Sequence, residues 1–196
     1  MRGHRYFMLT KFKNVENEKI KKSFLKVMNA YQSLHDYEVV LIQKPIKSST
    51  MQAQPIIDFK GLLKGVKRYK INLAEYVRDS NELKVADLPK DVLTGWFAHE
   101  LGHLVDYEPF SNLQMIRYGL KYLISPKFRR EAEHAADYIA IDHGFKNEIL
   151  ATKRFILEHD LLEEDYKAKI RKYYLSIEQV EMCTVDKTFM QPALDL

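Results

Sequence analysis

Two histidines four residues apart place the strongest constraint on how this chain folds. Residues 99–103 read His-Glu-Leu-Gly-His, within a segment, residues 89–107, whose apolar side chains recur at helical spacing before Pro109 ends it. Four residues at about 100° each return to within about 40° on an α-helix, so His99 and His103 lie on one face, one turn apart. The residues that pack against this helix face must therefore be able to interact with two imidazole rings.

A second predicted helix carries acidic residues suited to that position. Residues 126–142 have helical spacing and begin with a proline, which suits a first helical turn. Glu133 and Asp137 are four residues apart and share a face. Ala136 and Ala140 lie beside that face, and their small side chains allow another helix to approach closely.

These residue types predict a metal site. Two neutral imidazoles one turn apart can hold one Zn²⁺, and catalytic zinc sites usually have three protein ligands and an open fourth position. We expect His99, His103 and Glu133 to be those ligands. Asp137 is expected to accept a hydrogen bond from the far ring nitrogen of a ligating histidine. Glu100 follows the first histidine, where a carboxylate can take a proton from a metal-activated water without ligating the metal.

Other assignments of these residues stay open. Glu131 and His134 are rival third ligands, although Glu131 lies about 160° around the helix from Glu133. Asp106 is either a brace near the metal or a solvated acid at the helix end. In the alternative without a metal, the two histidines form salt bridges with Glu133 and Asp137.

The two motifs resemble the gluzincin group of zinc metallopeptidases, which carry HExxH on one helix and ExxxD, often ExxAD, on a later one. The wider context, TGWFAHELGHLVDY followed by RREAEHAADYIAIDHG, is similar to two branches. One comprises the soluble ImmA/IrrE-like peptidases, which cleave regulatory proteins in bacteria and phages. The other is the catalytic core of membrane-anchored peptidases of the HtpX and CAAX-processing kind. The resemblance covers about residues 88–145 and implies the same three ligands and the same base; residues 1–50 and 150–196 align with neither branch.

The resemblance also implies a Tyr or His that donates to the developing oxyanion, from beyond the glutamate helix or a nearby loop. His143 is the preferred candidate, with Tyr138 and Tyr107 as alternatives. The single cysteine, Cys183, is expected to be a small buried residue rather than a thiolate that caps the zinc.

The spacing of apolar residues predicts one α+β domain spanning residues 1–196, with a small mixed sheet followed by a helical half that carries the metal site. The resemblance implies that this domain is zincin-like. We predict strands over residues 38–43, 51–59 and 69–73, and helices over residues 15–35, 89–107, 111–123, 126–142, 147–159, 163–174 and a short one near Ser176. The resemblance implies that residues 68–74 form the sheet edge above the cleft, where an extended substrate would add as a strand flanked by Lys70 and Asn72.

Composition excludes several classes of protein. The chain has 196 residues, 46% apolar and 30% charged, as in ordinary globular proteins, and no apolar run approaches the length of about 20 residues that a membrane-spanning helix needs. We expect no transmembrane segment and no signal peptide. The lone cysteine favours a reducing, cytoplasmic setting.

The net charge of +4 is unevenly distributed, because residues 1–47 hold ten Lys/Arg and four acidic residues. Such a basic segment can contact nucleic acid or an acidic membrane surface. The lysines lack interleaved aromatic residues, so a solvated helix face is the preferred interpretation and a nucleic-acid partner is not expected.

The expected function is a zinc-dependent peptidase acting on an extended peptide or protein. The first alternative is a zinc-binding regulatory or interaction module without catalysis. The second is a DNA-tethered protease of the SprT-like kind, which the Glu133–Asp137 pair and the absence of a CxxC motif argue against. The sequence does not indicate an oligomeric state.

Overall fold

In the part of the chain that the structure describes, a small mixed sheet is combined with seven α-helices. The computed structural model describes residues 9–46, 49–80 and 82–183. Its strands, in chain order, are β1 (Thr10–Lys13), β2 (Glu38–Gln43), β3 (Met51–Pro55) and β4 (Arg68–Leu73). Its helices are α1 (Glu18–Ala30), α2 (Lys90–Tyr107), α3 (Asn112–Ile124), α4 (Pro126–Ala140), α5 (Lys146–Glu158), α6 (Glu164–Tyr173) and α7 (Ile177–Met182).

The sheet has the strand order β1-β2-β4-β3. β1, β2 and β4 run parallel, and β3 pairs with β4 in the antiparallel direction. The expectation of a chain with mixed α and β structure, a small mixed sheet and a mostly helical remainder is confirmed.

The prediction that residues 68–74 form the sheet edge is wrong, because β4 lies inside the sheet. It pairs with β2 on one side and with β3 on the other, so the edge strands of the sheet are β1 and β3, and β3 is the edge next to β4. Asn72 does not flank a cleft; it is buried and its Nδ2 donates to Gln54 Oε1 at 3.0 Å. Sheet order depends on pairing between distant segments, which the alternation within a single strand does not report.

Local signals placed most helix ends correctly. Ser111 and Ser176 each cap a helix through a reciprocal capping box, with Gln114 and Gln179 as partners. The helix predicted over residues 126–142 ends as α4 and continues into a π-helical turn, Ile141–Phe145, in which Gly144 has a φ of 88°. A glycine adopts this left-handed conformation without the steric strain that a Cβ would add.

Helix α2 is the centre of the molecule, since it packs against α1, α4, α5 and β3. Two glycines allow the closest of these contacts. A Cβ on Gly102 would lie 2.6 Å from the carbonyl oxygen of Ala136 in α4, and a Cβ on Gly95 would lie 2.1 Å from that of Glu148 in α5. The backbones of α4 and α5 therefore approach α2 more closely than any side chain at these positions would allow.

The lysines of α1 find local partners, in keeping with a helix face. Lys21 and Lys26 pair with acidic residues at 2.8 and 2.7 Å, and Lys19 donates to a backbone carbonyl. The basic residues Arg2, Arg5 and Lys47 lie outside the described residues. Among the described helices, none combines the length and apolar character needed to cross a membrane.

Candidate metal centre

Helices α2 and α4 bring three predicted ligands together. His99, His103 and Glu133 are buried, and each offers one ligand atom such that all three atoms lie within 4.8 Å of one another. The Nε2 atoms of His99 and His103 lie 3.0 and 3.3 Å from the same oxygen, Oε2 of Glu133. Two imidazole nitrogens and a carboxylate oxygen that converge in this way can hold a metal ion.

His99 is held on both sides of its ring. Its Nδ1 bonds to Asp137 Oδ1 at 2.9 Å while its Nε2 faces Glu133. Burial lowers the pKa of His99, but the hydrogen bonds to Asp137 and Glu133 and their charges outweigh it and raise that pKa to about 10. Asp137 therefore orients the ring so that Nε2 points to the ligand cluster, as outer partners of ligating histidines do.

Asp137 is in turn held by a buried cation that the sequence interpretation did not identify. Lys153 of α5 bonds to Asp137 Oδ2 at 2.8 Å, and the backbone N–H of Leu175 donates to the same oxygen at 3.2 Å. Burial raises the pKa of Asp137, but the charge of Lys153 and the hydrogen bond with His99 outweigh it and lower the pKa to about 2. Asp137 is therefore a carboxylate, which is the form that accepts a hydrogen bond from the ring.

Glu133 has a second partner from a neighbouring helix. The hydroxyl of Tyr122, in α3, donates a short hydrogen bond to Glu133 Oε1 and leaves Oε2 facing the histidines. Burial raises the pKa of Glu133, but the two histidines outweigh it and hold the pKa well below its ordinary value. The side chain thus presents one charged oxygen to the cluster in a fixed orientation.

His103 is held less completely than His99. Its ring lies parallel to that of Tyr107, with centroids 6.0 Å apart, and its buried Nδ1 has no hydrogen-bond partner. A metal ion on Nε2 would leave this nitrogen as the protonated one, since a ligating imidazole carries its proton on the far nitrogen. The donor set as a whole therefore fits a divalent metal.

Glu100 lies beside the cluster and does not belong to it. Its Oε2 accepts a hydrogen bond of 2.6 Å from the backbone N–H of Ala53, on the edge strand β3. Burial raises the pKa of Glu100, while the nearby histidines and the Ala53 N–H act in the opposite direction. Burial is the larger effect, so the pKa of Glu100 is raised above its ordinary value, the direction that suits a carboxylate to act as a general base.

The cluster opens into a cleft of about 860 Å³. Residues of β3 and of α2, α3, α4, α5 and α6 line it. The site is therefore accessible to a ligand larger than water.

The structure does not bring every candidate to this site. His143, expected as the oxyanion donor, stacks on Tyr31 with centroids 4.2 Å apart, and its Nδ1 bonds to the carbonyl of Ile139 at 2.7 Å. It is not among the residues that line the cleft, and neither is Tyr138. Of the three predicted donors, Tyr107 is the one that lines it.

Asp106 is a brace for a cleft residue and not for a ligand. It accepts a hydrogen bond of 2.9 Å from the hydroxyl of Tyr118, whose ring lines the cleft. Burial raises the pKa of Asp106. Asp106 is thus hydrogen-bonded to a tyrosine of the cleft and not to one of the three candidate metal ligands.

The rival ligands lie elsewhere. Glu131 is exposed, and its Oε1 lies 3.9 Å from Nζ of Lys127. His134 does not belong to the group of residues whose ligand atoms converge. The Sγ of Cys183 donates to the carbonyl of Gln179 at 3.2 Å, and Cys183 does not line the cleft.

Sequence reasoning did not identify two side chains that contact the site, Lys153 and Tyr122, and the reasons differ. Lys153 occupies a position between Ile149 and Ile156 on the apolar face of α5, so helical spacing alone places it inside. That signal was available, because a buried lysine requires an anionic partner. Nothing in the spacing of α3 marks Tyr122 as a partner of Glu133.

Comparisons of the chain with protein-family models, with curated proteins and with solved structures found no match. Assignment of the centre therefore depends on its own geometry.

Proposed function

We propose that this protein is a zinc-dependent peptidase that hydrolyses a peptide bond in an extended segment of polypeptide. One juxtaposition carries the proposal: a converging His-His-Glu donor set lies next to a buried carboxylate, Glu100, which is hydrogen-bonded to an edge strand inside a cleft. A structural metal site would have four protein ligands and no cleft. The gluzincin resemblance of the two motifs, and with it a zincin-like arrangement, supports the same conclusion.

His99, His103 and Glu133 would hold the zinc. The ion when bound supplies a Lewis acid that activates a water molecule and polarises the scissile carbonyl. Glu100 accepts a proton from that water and passes it to the leaving amine. Asp137 and Tyr122 keep one histidine and the ligand carboxylate in place, so little reorganisation accompanies the reaction.

Strand β3 gives the reason for an extended substrate. Its even-numbered residues bond to β4, as the contacts Ala74 N to Thr50 O and Ile56 N to Arg68 O show at either end of the strand. The backbone groups of Met51, Ala53 and Pro55 therefore face the cleft. The N–H of Ala53 is bonded to Glu100 and the carbonyl of Met51 to Ser49, so an extended peptide would add as a strand through the remaining groups, such as the carbonyls of Ala53 and Pro55. Its scissile bond would then lie next to Glu100.

The test separates metal binding from hydrolysis. Full-length wild-type protein and the Glu100→Gln variant are loaded with zinc, and metal content is measured by mass spectrometry. Hydrolysis is followed with labelled unfolded casein and a library of quenched peptides. We expect both proteins to bind about one zinc, and the variant to lose at least about 100-fold in turnover, because a general base contributes roughly 10²–10⁴.

Glu131→Gln is the matched control, since Glu131 is exposed and outside the cluster. It should retain both metal and activity. Full hydrolysis by Glu100→Gln would show that the base is wrong. A wild-type protein that binds zinc and hydrolyses no member of the library would identify a binding module without catalysis.

A further inference from the structure

Two segments that contact each other at the first turn of α3 are strongly basic. Residues 59–74 and 109–130 contain ten Lys/Arg and no Asp or Glu, which leaves 21 basic and 27 acidic residues in the rest of the chain. The protein is therefore net positive only because of these 38 residues. Four of these ten residues lie exposed in the turn of residues 59–64 or on α3: Lys60, Lys64, Arg117 and Lys121. A cluster of basic residues attracts an anionic partner.

The same segments carry most of the exposed apolar side chains. In the part of the chain that the structure describes, nine large apolar residues are exposed, and five of them belong to these segments at exposures between 58% and 85%: Phe59, Leu63, Leu120, Leu123 and Ile124. Single exposed leucines are ordinary, but this concentration beside lysines is not.

The two segments are joined at the first turn of α3. Leu113 N donates to Leu62 O and Asn112 N donates to Lys64 O, both at 2.9 Å, so the turn that carries Phe59 and Leu63 packs against the start of the helix. We call this turn, residues 59–64, together with the outward side of α3 the lip face.

Along α3 the apolar residues follow helical spacing. Leu113, Ile116, Leu120 and Leu123 recur at three- and four-residue steps, and the exposed Arg117 and Lys121 lie on the flank of that stripe. The helix is thus apolar on its inner side, which carries Met115 and Tyr118, and again on its outward side. An outward apolar stripe with basic flanks is the pattern of a helix that lies in a membrane interface.

Other occupants fit these observations less well. Nucleic acid would use the lysines and one exposed ring, Phe59, but it would leave the exposed leucines and isoleucine without a partner. Surfaces that bind single strands stack successive bases on several aromatic rings. A second copy of the chain would bring two basic surfaces face to face. An anionic bilayer accepts both the apolar side chains and the charges.

We propose that the lip face docks on the surface of an anionic phospholipid bilayer. Leu120 and Leu123 belong to the lip face and also line the cleft. Docking would therefore hold the mouth of the cleft at the membrane surface, and in the terms of the proposed function it would direct the site to polypeptide segments near the bilayer. Docking itself requires neither metal nor hydrolysis, so its test is independent of the peptidase proposal.

The experiment is co-sedimentation of the full-length protein with vesicles of phosphatidylcholine alone or with about 30% phosphatidylglycerol, at low and high salt. We expect binding to the anionic vesicles that weakens with salt, because salt screens the attraction between basic side chains and anionic headgroups. The Leu123→Ser/Ile124→Ser variant should bind at least about tenfold more weakly, since two large apolar side chains lose their burial in the interface. Lys64→Glu/Lys121→Glu should be at least as weak.

Matched controls carry the same changes at exposed positions elsewhere. Leu161→Ser/Met182→Ser alters side chains that are 47% and 73% exposed, and Lys22→Glu/Lys169→Glu reverses two exposed lysines. Both should bind within about twofold of wild type. Circular dichroism and thermal melts verify that all variants fold, as expected for exposed positions.

Three outcomes overturn the proposal. The first is wild-type protein that does not bind anionic vesicles at low salt. The second is lip-face variants that bind as well as their controls. The third is a dimer in analytical ultracentrifugation that Leu123→Ser/Ile124→Ser dissociates, which would assign the face to a second copy of the chain.

Discussion

On the helical side of the cleft, formed by α2, α4 and α5, polar side chains are buried and bonded to one another in sequence: Lys153 to Asp137, Asp137 to His99 and His99 to Glu133. In the other part of the lining, β3 and α3 contribute the backbone of an edge strand and several exposed apolar side chains, although the N–H of Ala53 and the hydroxyl of Tyr122 are bonded to Glu100 and Glu133. Both parts belong to the same cleft, yet one is a closed polar network and the other exposes apolar side chains.

The difference shows how the work of a site is divided. Metal ligands need a fixed geometry. The helices that carry or support them therefore pack closely at glycine positions, and their buried positive and negative side chains pair with one another. A surface that receives a polymer or a bilayer needs open backbone groups and exposed apolar area. If this division is correct, equivalent changes on the two sides should have unlike effects.

The largest effect is expected at Glu133. Glu133→Ala removes one of three ligands, and with structural zinc sites worth about 10–16 kcal/mol we expect zinc affinity to fall at least about 1,000-fold. Competition with a chromophoric chelator measures this. Full zinc stoichiometry and affinity in the variant would mean that the third ligand has been misidentified.

Lys153→Met comes next, because it leaves the buried carboxylate of Asp137 without its cation. We expect unfolding free energy to fall by about 3 kcal/mol, the lower end of the range for breaking a buried pair, since Leu175 N and His99 remain as partners. Urea denaturation measures it.

The double variant Lys153→Met/Asp137→Asn removes both charges and is the control. It should be more stable than Lys153→Met alone. A double variant less stable than the single one would show that Lys153 acts through packing and not through the charge of Asp137.

Two glycines provide a direct comparison of the sides. Gly95→Ala places a Cβ 2.1 Å from a backbone oxygen of α5, whereas Gly119→Ala on α3 meets nothing within 4 Å. We expect the first to destabilise the protein by about 1–3 kcal/mol through overpacking. The second should stabilise it by about 0.5–1 kcal/mol through helix propensity. Thermal melting distinguishes them, and shifts of the same sign would contradict the distinction between the sides.

The smallest effect is expected at Asp106, which is close in sequence to the ligands and bonded to Tyr118 instead. Asp106→Asn preserves an acceptor for that hydroxyl and removes a partly buried charge, so stability should stay within about 0.5 kcal/mol of wild type. Zinc content should not change. Loss of metal in this variant would place Asp106 in direct contact with the centre.

The sequence predicted the helices and the convergence of the ligands well, because both depend on helical periodicity. The four-residue spacing in each motif determines a shared face whatever the rest of the chain does. Small residues at Gly102 and Ala136 then let those faces meet.

What could not be predicted depends on contacts between distant segments. Strand β1 is four residues long, with Phe12 as its one large apolar side chain, and forms by pairing with β2. His143 lies in a π-helical turn that directs its ring to Tyr31, and the spacing of nearby residues in the sequence does not predict that turn. The partnership of Tyr122 with Glu133 arises from how α3 crosses α4, which spacing along one helix does not report.

The edge strand has one more consequence, for self-association. An unpaired strand edge is a template on which another copy of a protein can polymerise. Here Pro55 has no backbone N–H to donate. The hydroxyl of Ser49 donates a hydrogen bond to the carbonyl of Met51, and the N–H of Ala53 donates one to Glu100. Glu100, the proposed base, therefore also protects the edge strand, because its bond in the middle of β3 hinders fibril-like pairing with strands of neighbouring molecules.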